Sequence, residues 1–79
     1  MTRQEKLIWY ATAPRASAAQ FFNAVDGDLV VRWVPKLRGR IVCLDSKNFK
    51  FLSRAEAVNE ARAFREACRR DARAEGLID

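Results

Sequence analysis

The strongest structural signal in the sequence is the segment from Ser53 to Gly76. Ser53 and Glu56 have the spacing of a capping box, in which each side chain accepts a backbone N–H, and Gly76 is a typical helix stop. We therefore predict a helix that runs to about Glu75. At 100° per residue, one stripe of this helix is apolar and must pack against another element. The stripe consists of Ala57, Val58, Ala61, Phe64, Cys68 and Ala72.

The N-terminal third contains two shorter segments with opposite preferences. Residues 7–12 (Leu-Ile-Trp-Tyr-Ala-Thr) are rich in β-branched and aromatic side chains, which predicts a first strand. A second capping-box spacing, which starts at Ser17, predicts a short helix that ends at the turn residues 26–28. The apolar positions of this helix are Ala18, Phe21, Phe22 and Val25, and we expect the two phenylalanines to face the core.

The middle third of the chain has a β pattern. Residues 29–34 alternate as a strand, residues 35–39 are a connection that contains Pro and Gly, and residues 40–44 return as the partner strand. Residues 45–48 form a second turn, and residues 49–51 form a further short strand with two phenylalanines on one face. The alternation puts Leu29, Val31 and Trp33 on one face and Arg32 on the other.

The complete order is β-α-β-β-(β)-α, which predicts an α+β fold with an antiparallel sheet of three to four strands and helices packed on one face. A chain of 79 residues has room for one core, so we expect a single domain over residues 1–79. No apolar run has the length of a membrane span or a signal peptide, so we expect a cytoplasmic protein. The oligomeric state is open, because an edge strand beginning at Leu7 or Phe49 could pair across a two-fold axis.

The surplus positive charge of the chain lies in its central segment. The formal net charge is +5. Residues 1–28 and 53–79 each contain equal numbers of basic and acidic side chains, so the whole surplus comes from residues 29–52. Such a concentration favours an anionic partner and a fast, salt-sensitive encounter. The alternative is that basic side chains on edge strands serve to prevent aggregation.

The sequence contains none of the common catalytic arrangements. It has no histidine, which removes the commonest general base and the commonest metal ligand. Its three glycines form no phosphate-binding loop. We expect the thiols of Cys43 and Cys68 to be buried rather than joined in a disulfide, because small disulfide-bonded scaffolds usually carry more cysteines. We therefore expect a non-catalytic protein that needs no metal or cofactor.

Two kinds of partner fit the basic segment. In the first, the hairpin contacts nucleic acid directly, with phosphates on its basic side chains and bases stacked on Trp33 or Tyr10. In the second, the partner is a protein or nucleoprotein complex, for which arginine is a typical anchor. The second is favoured, because most of the aromatic residues fall at expected core positions. The predicted binding residues are Arg32, Lys36, Arg38, Arg40, Lys47, Lys50, Arg62, Arg69 and Arg73.

In its organisation the chain resembles the anti-CRISPR proteins of phages and mobile elements. The resemblance lies in its small size, its α+β organisation, its lack of catalytic residues and a terminal helix that opens with Ser-Arg-Ala-Glu-Ala at residues 53–57. It implies stoichiometric binding to a CRISPR effector complex in the host cytoplasm, which blocks target-DNA recognition or nuclease recruitment. Unlike the acidic members that imitate DNA, this chain is basic. Its hairpin would instead occupy an acidic or DNA-adjacent surface of the effector.

Overall fold

A computed structural model describes residues 1–45 and 50–79. Within those residues the chain forms two helices and three strands, and the strands make one antiparallel sheet in the order β1-β2-β3. The predicted α+β class and antiparallel sheet are confirmed. The elements in chain order are α1 (Arg3–Ala11), β1 (Ala16–Val25), β2 (Asp28–Leu37), β3 (Arg40–Ile41) and α2 (Arg54–Ala74).

The first element is a helix, so the strand predicted over residues 7–12 is wrong. Thr2 is the N-cap of α1, and its hydroxyl accepts the backbone N–H of Glu5 at 3.1 Å. Leu7, Tyr10 and Ala11 have the spacing of one helix face and pack against α2. This tertiary packing outweighs the β preference of the aromatic and β-branched residues.

The second element is a strand, so the helix predicted from Ser17 is also wrong. The Ser17 hydroxyl donates to the carbonyl of Lys36 across the sheet at 3.5 Å. Asp26 and Gly27 have φ angles of 51° and 83°, which is the backbone of a two-residue hairpin turn of type I′. This turn joins β1 to β2 over ten cross-strand pairs, from Ala16 opposite Leu37 to Val25 opposite Asp28.

β2 continues through the region predicted as a connection, and the turn that follows it contains Arg38 and Gly39, with φ angles of 50° and 77°. The partner strand is shorter than the predicted residues 40–44, and Pro35 explains why. The N–H of Val42 donates to the carbonyl of Pro35 at 3.0 Å, but proline has no N–H to complete the pair. The ladder therefore ends at Ile41.

The strand predicted over residues 49–51 is reduced, in the part that is described, to one bridge at the outer edge of β2. Phe51 and Trp33 exchange two backbone hydrogen bonds, at 2.8 and 2.9 Å. Most of the turn predicted over residues 45–48, together with Phe49, lies outside the described residues.

The C-terminal helix follows the prediction closely. The Ser53 hydroxyl accepts the N–H of Glu56 at 3.2 Å, and the Glu56 carboxylate reaches back to the N–H of Leu52 at 3.3 Å. Gly76 follows the helix with a φ of 72°. Most of the predicted stripe is buried, and Phe64 is half-buried between the two core clusters.

The core lies on one side of the sheet. Near its middle, α2 packs over the base of the β1–β2 hairpin, where Ala61 meets Leu37 and Ala16, and its second half packs on α1. Tyr10 of α1 also packs against the cluster around Leu37, so both helices lie on this side of the sheet, as predicted. The molecule is elongated, with extents of 50 × 20 × 17 Å, because the outer half of the hairpin projects beyond α2.

Candidate functional site: basic side chains on two sides of the sheet

The face of the sheet opposite α2, here called the open face, carries three of the predicted basic residues, namely Arg32, Lys36 and Lys50. Side chains alternate along a strand, so the register assigns each residue to a face. The members of the open face on the two long strands are Ser17, Ala19, Phe21, Asn23 and Val25 of β1 and Asp28, Val30, Arg32, Val34 and Lys36 of β2.

One row across the open face combines an aromatic ring with two cations. Phe21 of β1 lies directly opposite Arg32 of β2. From the outer edge of β2, Lys50 reaches over the sheet and places its ammonium 5.6 Å from the centre of the Phe21 ring. This is the distance of a cation–π contact. The Arg32 guanidinium donates to the neighbouring Val31 carbonyl at 2.9 Å, so it is held against the sheet.

Beside this row the open face has a shallow hollow of about 230 Å³. Its floor is apolar, because Val34 is buried and Phe21 is half-buried, and Lys36 stands at its border. The full lining is Ala19, Gln20, Phe21, Val34, Lys36 and Ile41. Within the described strands, the one carboxylate on this face is Asp28, at the far end of the hairpin. The hollow therefore presents apolar contact surface within a basic surrounding.

Two further predicted residues, Arg38 and Arg40, lie on the other side of the sheet. Both guanidinium groups stand over the ring of Trp9 in α1, at 5.5 and 5.3 Å from its centre. Arg38 also donates to the carbonyls of Trp9 at 2.8 Å and Thr12 at 3.2 Å. The predicted basic cluster is thus divided between two faces, because Arg40 lies opposite Leu37 on the α2 side of the sheet and Arg38 bonds to the end of α1.

Two arginines of α2 bind the same end of α1. Arg65 donates to the carbonyl of Ala13 at 3.2 Å, and Arg69 donates to that of Ala11 at 2.9 Å and pairs with Glu66. With Arg38 they form a set that we call the arginine cap. The cap supplies donors and positive charge to the C-terminal end of α1, whose own last turn contains no basic residue.

Of the remaining predicted residues, the two that the structure describes are not on the open face. Arg62 is exposed on α2 and donates to the Asn59 side chain at 3.4 Å, and Arg73 donates to the carbonyl of Asp79 at 3.1 Å. Lys47 lies outside the described residues. The structure therefore brings together Arg32, Lys36 and Lys50, and it separates them from the other predicted residues that it describes.

Sequence reasoning missed the two aromatic residues that organise these surfaces. The sequence predicts Phe21 on a helix that faces the core and Trp9 in a strand. Asp26-Gly27 between alternating residues is the pattern of a hairpin, and Thr2-Arg3-Gln4-Glu5 is the pattern of a capping box, so both errors had a detectable signal in the sequence.

A groove of about 360 Å³ between the helices is lined by Arg3, Lys6, Leu7, Tyr10, Phe64 and Cys68. Arg3 and Glu75 form an ion pair at 2.7 Å beside it.

Burial raises the pKa of the Cys68 thiol, and burial likewise raises the pKa of Cys43, so both thiols hold their protons at neutral pH. The two are not joined in a disulfide. Cys68 is buried as predicted, whereas Cys43 is half-buried.

Across residues 1–45 and 50–79, no group of three or more cysteine or carboxylate side chains is placed to hold a metal ion. In the same residues, neither helix is long and apolar enough to cross a membrane. No protein-family model, no curated protein and no solved structure matches the chain.

Proposed function

We propose that this chain is a non-catalytic binding protein whose open face occupies an anionic surface of a nucleoprotein complex. The observation that carries the proposal is the grouping of Arg32, Lys36 and Lys50 around an apolar hollow. Cations on a rigid sheet can pair with phosphates or carboxylates without a large loss of side-chain freedom, and the hollow adds apolar contact area. The thiols with raised pKa values support a binding role over a nucleophilic one.

We further propose a CRISPR effector complex as the partner, on the basis of the resemblance to anti-CRISPR proteins. Such a complex presents the phosphates of its guide RNA, and an anionic surface of this kind suits a basic ligand. A stoichiometric inhibitor needs only to cover the surface where DNA enters. The test is to add the chain to purified effector complexes of several types and to measure binding of a matched DNA target.

The decisive variant reverses the charge of Arg32 and Lys36, two residues of the open face that are not in the arginine cap. Arg32→Glu with Lys36→Glu should weaken inhibition at least about tenfold, since two favourable charge contacts become repulsive. The matched control is Lys6→Glu with Arg70→Glu, which changes the net charge equally at exposed positions on the two helices. Equal loss of inhibition in both variants would refute the role of the open face, and no inhibition of any effector would refute the partner.

The row that contains Phe21 favours a second candidate function, which is direct binding of single-stranded nucleic acid. An aromatic ring between two cations on a sheet can stack with a base while the cations neutralise phosphates. In this case a labelled single-stranded oligonucleotide should bind the isolated chain, with an affinity that falls steeply as salt rises. Phe21→Ala should then weaken binding about as much as loss of one stacked base, which is ~1–3 kcal/mol.

A further inference from the structure

The outer edge of β1 is an unprotected strand edge. β1 is the first strand of the sheet, and among the described residues no other strand pairs with its outer side. Its ten residues contain no charge and no proline, and its register with β2 has no bulge. Natural proteins normally protect such an edge by one of these devices or cover it. The opposite edge of β2 is covered by β3 and Phe51.

The hydrogen-bond pattern shows which backbone groups point to that edge. Trp33 exchanges both of its backbone bonds with Phe51, so its N–H and carbonyl point away from β1. Its partner Gln20 therefore belongs to a pair without mutual hydrogen bonds, and its N–H and carbonyl point outward. By the same alternation, Ala18, Phe22 and Ala24 also direct their backbone groups to the open edge.

The outer half of the hairpin carries exposed apolar side chains on the same side as α2. Phe22 and Val31 lie opposite each other and are 64% and 37% exposed, and Leu29 is 75% exposed. α2 begins at Arg54, just after the bridge between Phe51 and Trp33, so it covers the sheet only from this level inward. An apolar surface of this kind, next to an open edge, is typical of an interface.

We infer that β1 pairs antiparallel with β1 of a second copy of this chain, about a two-fold axis perpendicular to the sheet. This axis keeps both α2 helices on one side of a continuous sheet. Antiparallel pairing lays the outer half of each hairpin beside the base of the other, where α2 of that copy packs. Phe22 and Val31 then meet the flank of α2 in the second copy, and one interface covers both the edge and the apolar side chains.

The distribution of charge favours a second copy over another protein. Since β1 is uncharged, self-pairing places no like charges opposite each other, despite the net charge of +5. The hairpin tip carries exposed Asp26, which lies in the turn between β1 and β2. On α2, Arg65 bonds to Ala13, just before β1, so Arg62, one turn earlier, lies on the flank that faces β1. The acidic tip of one copy therefore approaches a basic flank of the other.

The inference does not depend on the proposed function, and it is tested by sedimentation velocity over a range of protein concentrations. The chain should sediment as a dimer at about 100 µM and dissociate on dilution. A monomer throughout this range would overturn the inference, and it would also be the result if the edge instead receives a strand of another protein.

Two pairs of variants locate the interface. Gln20→Pro removes an outward N–H and should weaken the dimer at least about tenfold, whereas Gln20→Thr retains that N–H and should not. Phe22→Lys should also weaken it, whereas Leu52→Lys, which charges a side chain that is 70% exposed away from β1, should not. Circular dichroism checks the fold of each variant. Equal effects within a pair would place the interface elsewhere.

A charge exchange tests the identity of the occupant. Arg62→Glu alone should weaken the dimer, and the addition of Asp26→Arg in the same chain should restore it at least in part, because both charges occur in each copy. Failure of the second change to restore any dimer would contradict the proposed approach of the tip to α2.

Discussion

At the scale of single residues, arginine serves two purposes in this chain that residue type alone does not distinguish. Arg32 lies on the open face, whereas Arg38 binds the C-terminal end of α1. It donates to the carbonyls of Trp9 and of the C-cap Thr12, and its guanidinium stands over the Trp9 ring. A helix of nine residues is marginal by itself, so donors at its C-terminal end matter for its stability. Part of the positive charge that suggests an anionic partner therefore serves to stabilise the fold.

We predict that Arg38→Ala lowers the free energy of unfolding by about 1–2 kcal/mol, because it removes charge-assisted bonds to two helix-end carbonyls. Alanine and arginine are both disfavoured at the φ of 50°, so backbone strain stays the same. The control is Arg40→Ala, which removes the second cation over Trp9 and should cost less than about 1 kcal/mol. Urea unfolding measures both. Equal losses would show that the carbonyl bonds contribute little.

Cys68 makes a second prediction at this scale. Its side chain is 7% exposed, and burial raises the pKa of its thiol. The folded state therefore keeps the proton at a pH where the unfolded state has lost it, and unfolding releases a proton. The stabilisation that comes from the raised pKa of Cys68 is fully present below about pH 8.5, the usual pKa of a cysteine thiol in an unfolded chain. It is lost as the pH rises through the pKa of the folded state.

The check is the pH dependence of the stability difference between the wild type and Cys68→Ala. The variant loses packing at every pH, so the wild type should be the more stable below pH ~8.5. Above that pH the difference in the free energy of unfolding between the two proteins should decrease. A difference that is constant or grows with pH would contradict the raised pKa.

At the scale of elements, the helix α2 was predictable because its caps, apolar stripe and stop residue all agree. α1 and β1 were not, since their local signals conflict. Leu-Ile-Trp-Tyr favours a strand by composition, but the capping residues Thr2 and Glu5 and the contact with α2 make it a helix. The alanines of β1 favour a helix, but the turn at Asp26 and Gly27 makes a hairpin.

The same errors limited the prediction of the site. The basic segment was identified from charge alone, and Arg32, Lys36 and Lys50 do share a face. The contacts of Arg38 and Arg40 with Trp9 were not predictable, because they depend on α1, whose sequence favours a strand. Phe21 was missed as a member of the surface because the sequence of β1 predicts a helix whose phenylalanines face the core.

The hairpin turn offers a test of this element. Gly27 has a φ of 83°, and a Cβ built there meets no atom within 4 Å, so a substitution acts through backbone conformation alone. Gly27→Ala should lower the free energy of unfolding by about 1–2 kcal/mol, whereas Gly27→Asn should cost less, because asparagine tolerates this conformation. Urea unfolding again gives the comparison. Equal losses would contradict the type I′ turn.

At the scale of the whole molecule, the chain is longer than a compact domain of its size. Its radius of gyration is 14.1 Å, against about 12 Å expected for this length. The buried residues lie where α2 meets the hairpin base and α1, and the outer half of the hairpin has no helix beneath it. A pair of strands without such support is weakly stable in water.

Local stability should therefore differ between the hairpin end and the helical end of an isolated molecule. By the alternation of the antiparallel ladder, Asn23 and Val30 are a pair in the outer hairpin whose backbone N–H and carbonyl groups are hydrogen-bonded to each other. At concentrations too low for association, we expect their amides to exchange with deuterium at least about a hundredfold faster than those of Ala61 and Cys68 in α2. Exchange at the two hairpin amides should also be insensitive to low urea, since local opening exposes little surface, while exchange in α2 should accelerate with urea. Similar exchange rates and a similar urea dependence for the hairpin and α2 amides would contradict this prediction. They would mean that the hairpin and the helical end of the molecule unfold as one unit.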